Sequence, residues 1–147
     1  MFKFIPEPTR FEFLSAIALK QNFVNLEVLP NYTIDDEGLP RNHASGNQPD
    51  IVCIDTHSQS IVEVSLICGR AQTHSELLPI ARHLREMIAQ TQDDTNFALF
   101  IAPKIFEDTK RYARLLKLDE NLDIRNLSIT EFITNLKTCE SINQINV

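Results

Sequence analysis

The stretch NQPDIVCIDTHSQSIVEVS, residues 47–65, decides the fold. Two short runs rich in β-branched residues, 50–56 and 60–67, are separated only by His57, Ser58 and Gln59, which predicts an antiparallel hairpin. Each run carries a carboxylate where a strand is driest. Asp50 opens the first, and Glu63 sits inside the second. A buried carboxylate without a partner is costly, so this pair asks for an explanation beyond packing.

Working outward, residues 7–23 (EPTRFEFLSAIALKQNF) predict a first helix, with Thr9 as N-cap and Phe11, Leu14, Ile17 and Ala18 at helical spacing. Residues 23–30 predict a strand, and 31–49 a loop rich in Asn, Asp, Gly and Pro. A helix spans roughly 72–90; Pro79 lies inside it, so it either kinks there or begins nearer that point. NFALFIAP (96–103) is a buried strand, 104–118 an amphipathic helix, 122–128 a strand and 129–139 a last helix. The tail from about 139 reads as frayed. This order predicts one α/β domain over residues 1–147, a mixed central sheet with helices on its faces. The hairpin strands are antiparallel, and the later strands join in parallel through right-handed crossovers.

Composition limits the functions open to such a domain. The chain has 147 residues, 43% hydrophobic and 23% charged, with a net charge of −6. That is room for a real core. The charge argues against a stand-alone nucleic-acid binder, which presents a basic surface. Nucleic-acid chemistry stays open where cations offset the carboxylates or another chain supplies the grip. No apolar run approaches the ~20 residues of a membrane span, and MFKFIPEPTR lacks the features of a secretory signal. Cys53, Cys68 and Cys139 are scattered and odd in number, which reads as reduced thiols in a cytoplasmic protein.

Strand alternation points Glu63 and Ser65 one way and Val62, Val64 and Leu66 the other. The hairpin brings Asp50 beside Glu63. With a backbone carbonyl such as that of Val64, the two make a site for a hard divalent cation, and the ion removes the repulsion the bare pair would suffer. Gln72, Glu76 and His83 share one helix face, which could overlook the strand carrying Glu63. His43, His57 and His74 read as solvated residues of loops and caps. Lys110, Arg114 and Lys117 form a stripe that could meet phosphates, although a solvated helix face is the plainer reading.

Pro49-Asp50 and Glu63-Val64-Ser65, 13 positions from acid to acid, resemble the PD-(D/E)xK nucleases, with Ser65 where that pattern has lysine. The surroundings narrow the resemblance. EVSLICGRAQTHSELLPIARHLRE (63–86) is similar to the AlwI-type restriction endonucleases, which are Type IIS enzymes related to nicking endonucleases. Their acid-x-Ser/Thr form, Gly-Arg-x-Gln segment and helix with Glu, Pro and Arg-His match Gly69, Arg70, Gln72, Glu76, Pro79, Arg82 and His83. DEGLPRNHASGNQPDI (36–51), FALFIAPKIFEDT (97–109) and Glu12 extend the likeness over roughly residues 8–115.

The resemblance implies a restriction-endonuclease-like fold and a metal-dependent DNA endonuclease. It makes Asp50, Glu63 and Glu12 the metal ligands, with Mg2+ as the ion and Mn2+ as a substitute. Glu76 adds a carboxylate where the lysine is missing, and Glu76, Gln72 or His83 orients the attacking water. Arg70, Lys110 and Arg114 are candidate DNA contacts. At this length the chain is expected to be a cleavage domain or subunit acting on double-stranded DNA with a larger recognition or nicking partner, or with a second copy. Two alternatives stand beside it: a non-catalytic subunit that keeps the nuclease fold, and a repair or mobile-element nuclease of that fold.

Overall fold

The computed structural model describes residues 5–40, 47–56 and 58–146. Their elements follow the expected order: α1 (Glu7–Asn22), β1 (Glu27–Pro30), β2 (Ile51–Ile54), β3 (Gln59–Val64), α2 (Leu78–Thr91), β4 (Phe97–Ala102), α3 (Glu107–Glu120), β5 (Asp123–Ser128) and α4 (Ile129–Thr138). The sheet order is β1-β2-β3-β4-β5. The first two pairings are antiparallel and the last two parallel. This is the mixed, helix-flanked α/β sheet that the sequence predicts.

Burial explains the strand sequences. β4 lies inside the sheet with helices over both faces, and all six of its residues are buried, so it has no polar alternation. Two successive β-α-β connections step the same way across the sheet, which leaves α2 and α3 on one face. There Ile61, Phe100 and Ile124 pack beneath Leu77, Leu84, Ala113 and Leu116. On the other face Val62, Val64, Leu99 and Leu127 pack with Leu19 of α1 and Phe132 of α4. The turn into α4 is fixed by a capping box: Glu131 N–H donates to Ser128 Oγ at 3.1 Å, and Ser128 N–H donates to Glu131 Oε2 at 2.7 Å.

Two expectations need correction, and a third resolves between its alternatives. Pro6, not Thr9, caps α1, and the helix buries Thr9, Glu12, Ser15, Ala16 and Leu19, leaving Leu14 half exposed. Its rotation follows Ala16 and Leu19 into the core, and the same phase carries a polar stripe inward. Of the two readings at Pro79, the second holds: α2 begins beside it, at Leu78, and is not kinked there. A π-helical turn, Thr73–Leu77, precedes α2, and Leu78 N–H reaches back to Thr73 O, so Pro79 falls in the first α-turn where its missing N–H costs nothing. The tail is packed, not frayed. Ile142 and Ile145 enter the core, and Arg125 donates to the carbonyls of Asn143 and Ile145, each at 2.8 Å, with its guanidinium over the Phe97 ring. No helix among the described residues is long and apolar enough to cross a membrane.

Candidate active site

Asp50 lies one step beyond the ladder pair Ile51↔Val62, directly across from Glu63. Side chains at such opposed positions share a face with Cβ atoms about 5 Å apart. Asp50 Oδ2 accepts a 2.9 Å hydrogen bond from Val64 N–H, which fixes the carboxyl at the end of β3. The Val64 N–H thus meets Asp50; the carbonyl of the same residue is the atom that the sequence suggested as a ligand. Burial, then the charges of Glu63 and Glu12, push the Asp50 carboxyl up to about 9. Neither a lysine nor an arginine pairs with Asp50, Glu63 or Glu76 among the described residues.

Glu12 comes from α1 on the opposite face and is buried. Its charge reaches Asp50 and also Tyr32, whose hydroxyl is raised by burial and then by Glu12. Tyr32 sits in the loop after β1, edge-on to Phe13 with ring centroids 5.9 Å apart. Loop composition gave no sign that it would stand beside the acids.

The helix-side residues divide. His83 Nδ1 lies 2.6 Å from Glu63 Oε1, while its Nε2 is buried without a partner. Ser65, at the lysine position of the motif, donates its hydroxyl to Glu76 Oε1 at 3.0 Å and accepts Ile67 N–H at 3.0 Å. Burial raises the Glu76 carboxyl and Glu63 adds to the rise, opposed by the Ser65 hydrogen bond. Gln72 points elsewhere. Fully buried, it donates to the carbonyls of Ile67 and Lys104, each at 2.9 Å, and accepts Phe106 N–H at 2.8 Å. The expected common face thus holds for Glu76 and His83 only. The π turn changes the helical phase between them and Gln72, which serves as a clamp between two loops.

The remaining candidates lie apart from the acids. Arg70 and His74 are exposed and line a surface hollow with Phe106 and Arg111. Lys110 and Arg114 line a groove between α3 and β5. His43 and His57 fall outside the described residues.

The donor set suits a hard cation in kind: buried and half-buried carboxyl oxygens with no balancing lysine or arginine among the described residues. It is not gathered as a finished cage. Among the described residues no three acidic, histidine or cysteine side chains converge as ready ligands, because Glu63 is held toward His83 and Glu76 toward Ser65.

A mixed five-stranded sheet with acids opposed at the end of its antiparallel half defines an α/β domain of restriction-endonuclease type. The sequence matches the AlwI restriction endonuclease family over residues 5–144, and the chain belongs to that family. Its fold is similar to the crystal structure of the small subunit (R.BspD6I2) of the heterodimeric restriction endonuclease R.BspD6I. The TM-score is 0.81 at 25% identity, covering 90% of this chain and 69% of that one. No curated protein sequence matches the chain.

Proposed function

We propose that this chain is the cleavage subunit of a heterodimeric restriction endonuclease, hydrolysing a phosphodiester of double-stranded DNA with Mg2+ or Mn2+ as cofactor. The observation that carries the reading is the opposition of Asp50 and buried Glu63, with no lysine or arginine among the described residues to balance them. Asp50 and Glu63 are the residues that would hold the ion, with Glu12 contributing from α1, in the arrangement of the PD-(D/E)xK nucleases. When bound, the ion supplies stabilisation of phosphate charge and a more acidic water.

The chain's own groups do the rest. Val64 N–H aims the Asp50 carboxyl. His83 sets the rotamer of Glu63. Ser65 cannot act as the missing lysine, because its hydroxyl is committed to Glu76. Of the residues considered for orienting the attacking water, Gln72 is fully hydrogen-bonded and His83 is engaged with Glu63. Glu76 keeps Oε2 clear of any described partner. Its raised affinity for a proton suits it to accept one from a water held at that oxygen.

The second reading is a non-catalytic subunit. It is favoured by the serine at the lysine position and by the ungathered ligands. One experiment separates the two. The purified chain is incubated with plasmid and Mg2+, with and without its partner subunit, and the mixture is repeated with Asp50→Asn. Nicking that needs wild-type Asp50 supports cleavage by this chain. Cutting by the complex that is indifferent to Asp50→Asn assigns the chemistry to the partner and rejects the proposal.

A further inference from the structure

An apolar seam lies open between α3 and the start of α2. On α3, Tyr112, Leu115 and Leu118 follow at three-residue spacing and are 42%, 58% and 84% exposed. Across from them Leu78, the first residue of α2, is 37% exposed. All four line one hollow of about 500 Å³. Tyr112 and Leu115 also line a second, of about 560 Å³, with Phe106 and with Thr73 and His74 of the π turn. The hollows therefore lie side by side along α3, with Tyr112 and Leu115 as the ridge between them. The stripe that α3 buries is Thr109, Ala113 and Leu116. Tyr112, Leu115 and Leu118 are a second stripe, beyond what packing on the sheet uses. Apolar side chains gathered round one open hollow and rimmed by charge mark an interaction site.

We propose that this seam receives an amphipathic helix of the larger, DNA-reading partner subunit. The inference rests on the heterodimer reading above and says where the partner sits. Shape sets the kind of occupant. The two hollows are offset along α3 by roughly one to two turns, the spacing at which a helix laid into a groove presents successive apolar anchors. Charge sets its direction. Of the arginines and acids lining the hollows, Arg111 pairs with Asp108 at 3.6 Å and Arg85 with Glu120 at 2.7 Å. Among the described residues this leaves Arg70 unpaired at one end of the seam and Asp119 at the other. The helix brings an acidic side chain to Arg70 and a basic one to Asp119. Charge also decides between a partner and a second copy. This chain carries −6, so two copies repel at long range, whereas a subunit that grips DNA presents a basic surface and is attracted. The position suits a dependent cleavage subunit. Thr73 and His74 belong to the π turn that also holds Glu76. Thr73 Oγ1 and Thr109 Oγ1 lie 3.0 Å apart, so that turn and α3 meet the partner as one surface.

The test measures assembly without divalent metal, so cleavage does not enter. The full chain is mixed with the separately purified large subunit of its restriction system, with and without a short duplex, and followed by sedimentation velocity and calorimetry. The chains compared are wild type, Leu118→Glu, Leu115→Glu/Leu118→Glu and, as control, Val24→Glu, which alters an apolar side chain 73% exposed between α1 and β1. Leu118 is so exposed that its single variant keeps the fold whatever the double variant does. The double variant should raise the Kd for the large subunit about thirtyfold or more and the single variant by a smaller factor, with the control unchanged. Wild-type assembly by the folded Leu118→Glu and double variants overturns the seam and leaves the heterodimer reading standing. A chain that dimerises by itself, and is made monomeric by Leu118→Glu, assigns the seam to a second copy and overturns the proposal. A wild-type chain that binds no large subunit, with duplex or without it, rejects the seam and the heterodimer reading together.

Discussion

His83 Nδ1 and Glu63 Oε1 stand 2.6 Å apart, and this is the buried ring's one polar interaction among the described residues, since Nε2 has no partner. The histidine thus determines where the Glu63 carboxylate can sit. If Glu63 is a metal ligand, His83 is its positioning residue. Partners that orient a ligand are worth about 10–100-fold in metal affinity or activity. His83→Ala should lower both Mn2+ affinity, measured by calorimetry on the free chain, and cleavage by that margin, with the fold retained by circular dichroism. A folded variant with unchanged Mn2+ affinity and rate removes His83 from the site.

Asp50→Asn and Glu63→Gln should each reduce cleavage by ~10³-fold or more, equivalent to several kcal/mol of barrier. The two differ in stability. The carboxamide introduced by Asp50→Asn would still accept Val64 N–H and would be neutral beside Glu63 and Glu12 without the proton that Asp50, raised to about 9, must take up on folding. At neutral pH this substitution should therefore stabilise the metal-free fold by roughly 1–3 kcal/mol. A variant that folds and cuts near the wild-type rate would remove that carboxylate from the chemistry.

Stability of the metal-free chain should fall as pH rises. Burial and the neighbouring acids raise the Asp50 carboxyl from 3.8 to about 9, so the folded state binds more protons than the unfolded one between those values. The slope of unfolding free energy against pH is then negative. The benefit is fully present below the unfolded value and is lost as pH climbs to about 9. Glu76, also raised, acts in the same direction. Urea unfolding at several pH values between those limits should show the decline, and Asp50→Asn should flatten it. Equal slopes in wild type and variant would show that Asp50 ionises as an ordinary surface acid.

Gln72→Ala tests a residue whose role the structure redefines. Its side chain satisfies the carbonyls of Ile67 and Lys104 and the N–H of Phe106. Leaving these buried groups unpaired should cost about 2–4 kcal/mol, read as a lowered Tm. Where the variant remains folded, kcat should hold. A variant of unaltered Tm but lost kcat would restore Gln72 to catalysis.

What the sequence made legible follows from how each signal is encoded. Period-2 alternation and a three-residue separation gave the β2–β3 hairpin, and with it the approach of Asp50 to Glu63, because register is a local property. The phase of α1 is not local. Its apolar residues are spread around the helix, so Leu14 looked internal, while the core chose the face carrying Thr9, Glu12 and Ser15. Gln72 was misassigned because helical spacing was counted through a π turn. The tail looked polar, yet two isoleucines three residues apart, held by Arg125, are enough to dock it.

Alone, this chain should bind DNA weakly and without sequence preference, and should cut poorly. The net charge of −6 limits phosphate attraction. Phosphate contacts position a protein without reading sequence. Base edges are read by an element that enters a groove. Here the described strands form one sheet, and each described α-helix packs against it. A single catalytic centre also cuts one strand per binding event, so a double-strand break calls for a second centre. The resemblance to the small subunit of a heterodimeric restriction endonuclease agrees with a division of labour, in which a larger partner selects the site and places Asp50 and Glu63 against a chosen phosphate. The measurement is cleavage of defined duplexes by the isolated chain at ~0.1 M salt, with and without the partner subunit. Slow, scattered nicking that becomes fast and site-specific when the partner is added is the expected result. Efficient cutting at one discrete sequence by this chain alone would place recognition within these 147 residues and overturn its reading as a dependent cleavage subunit.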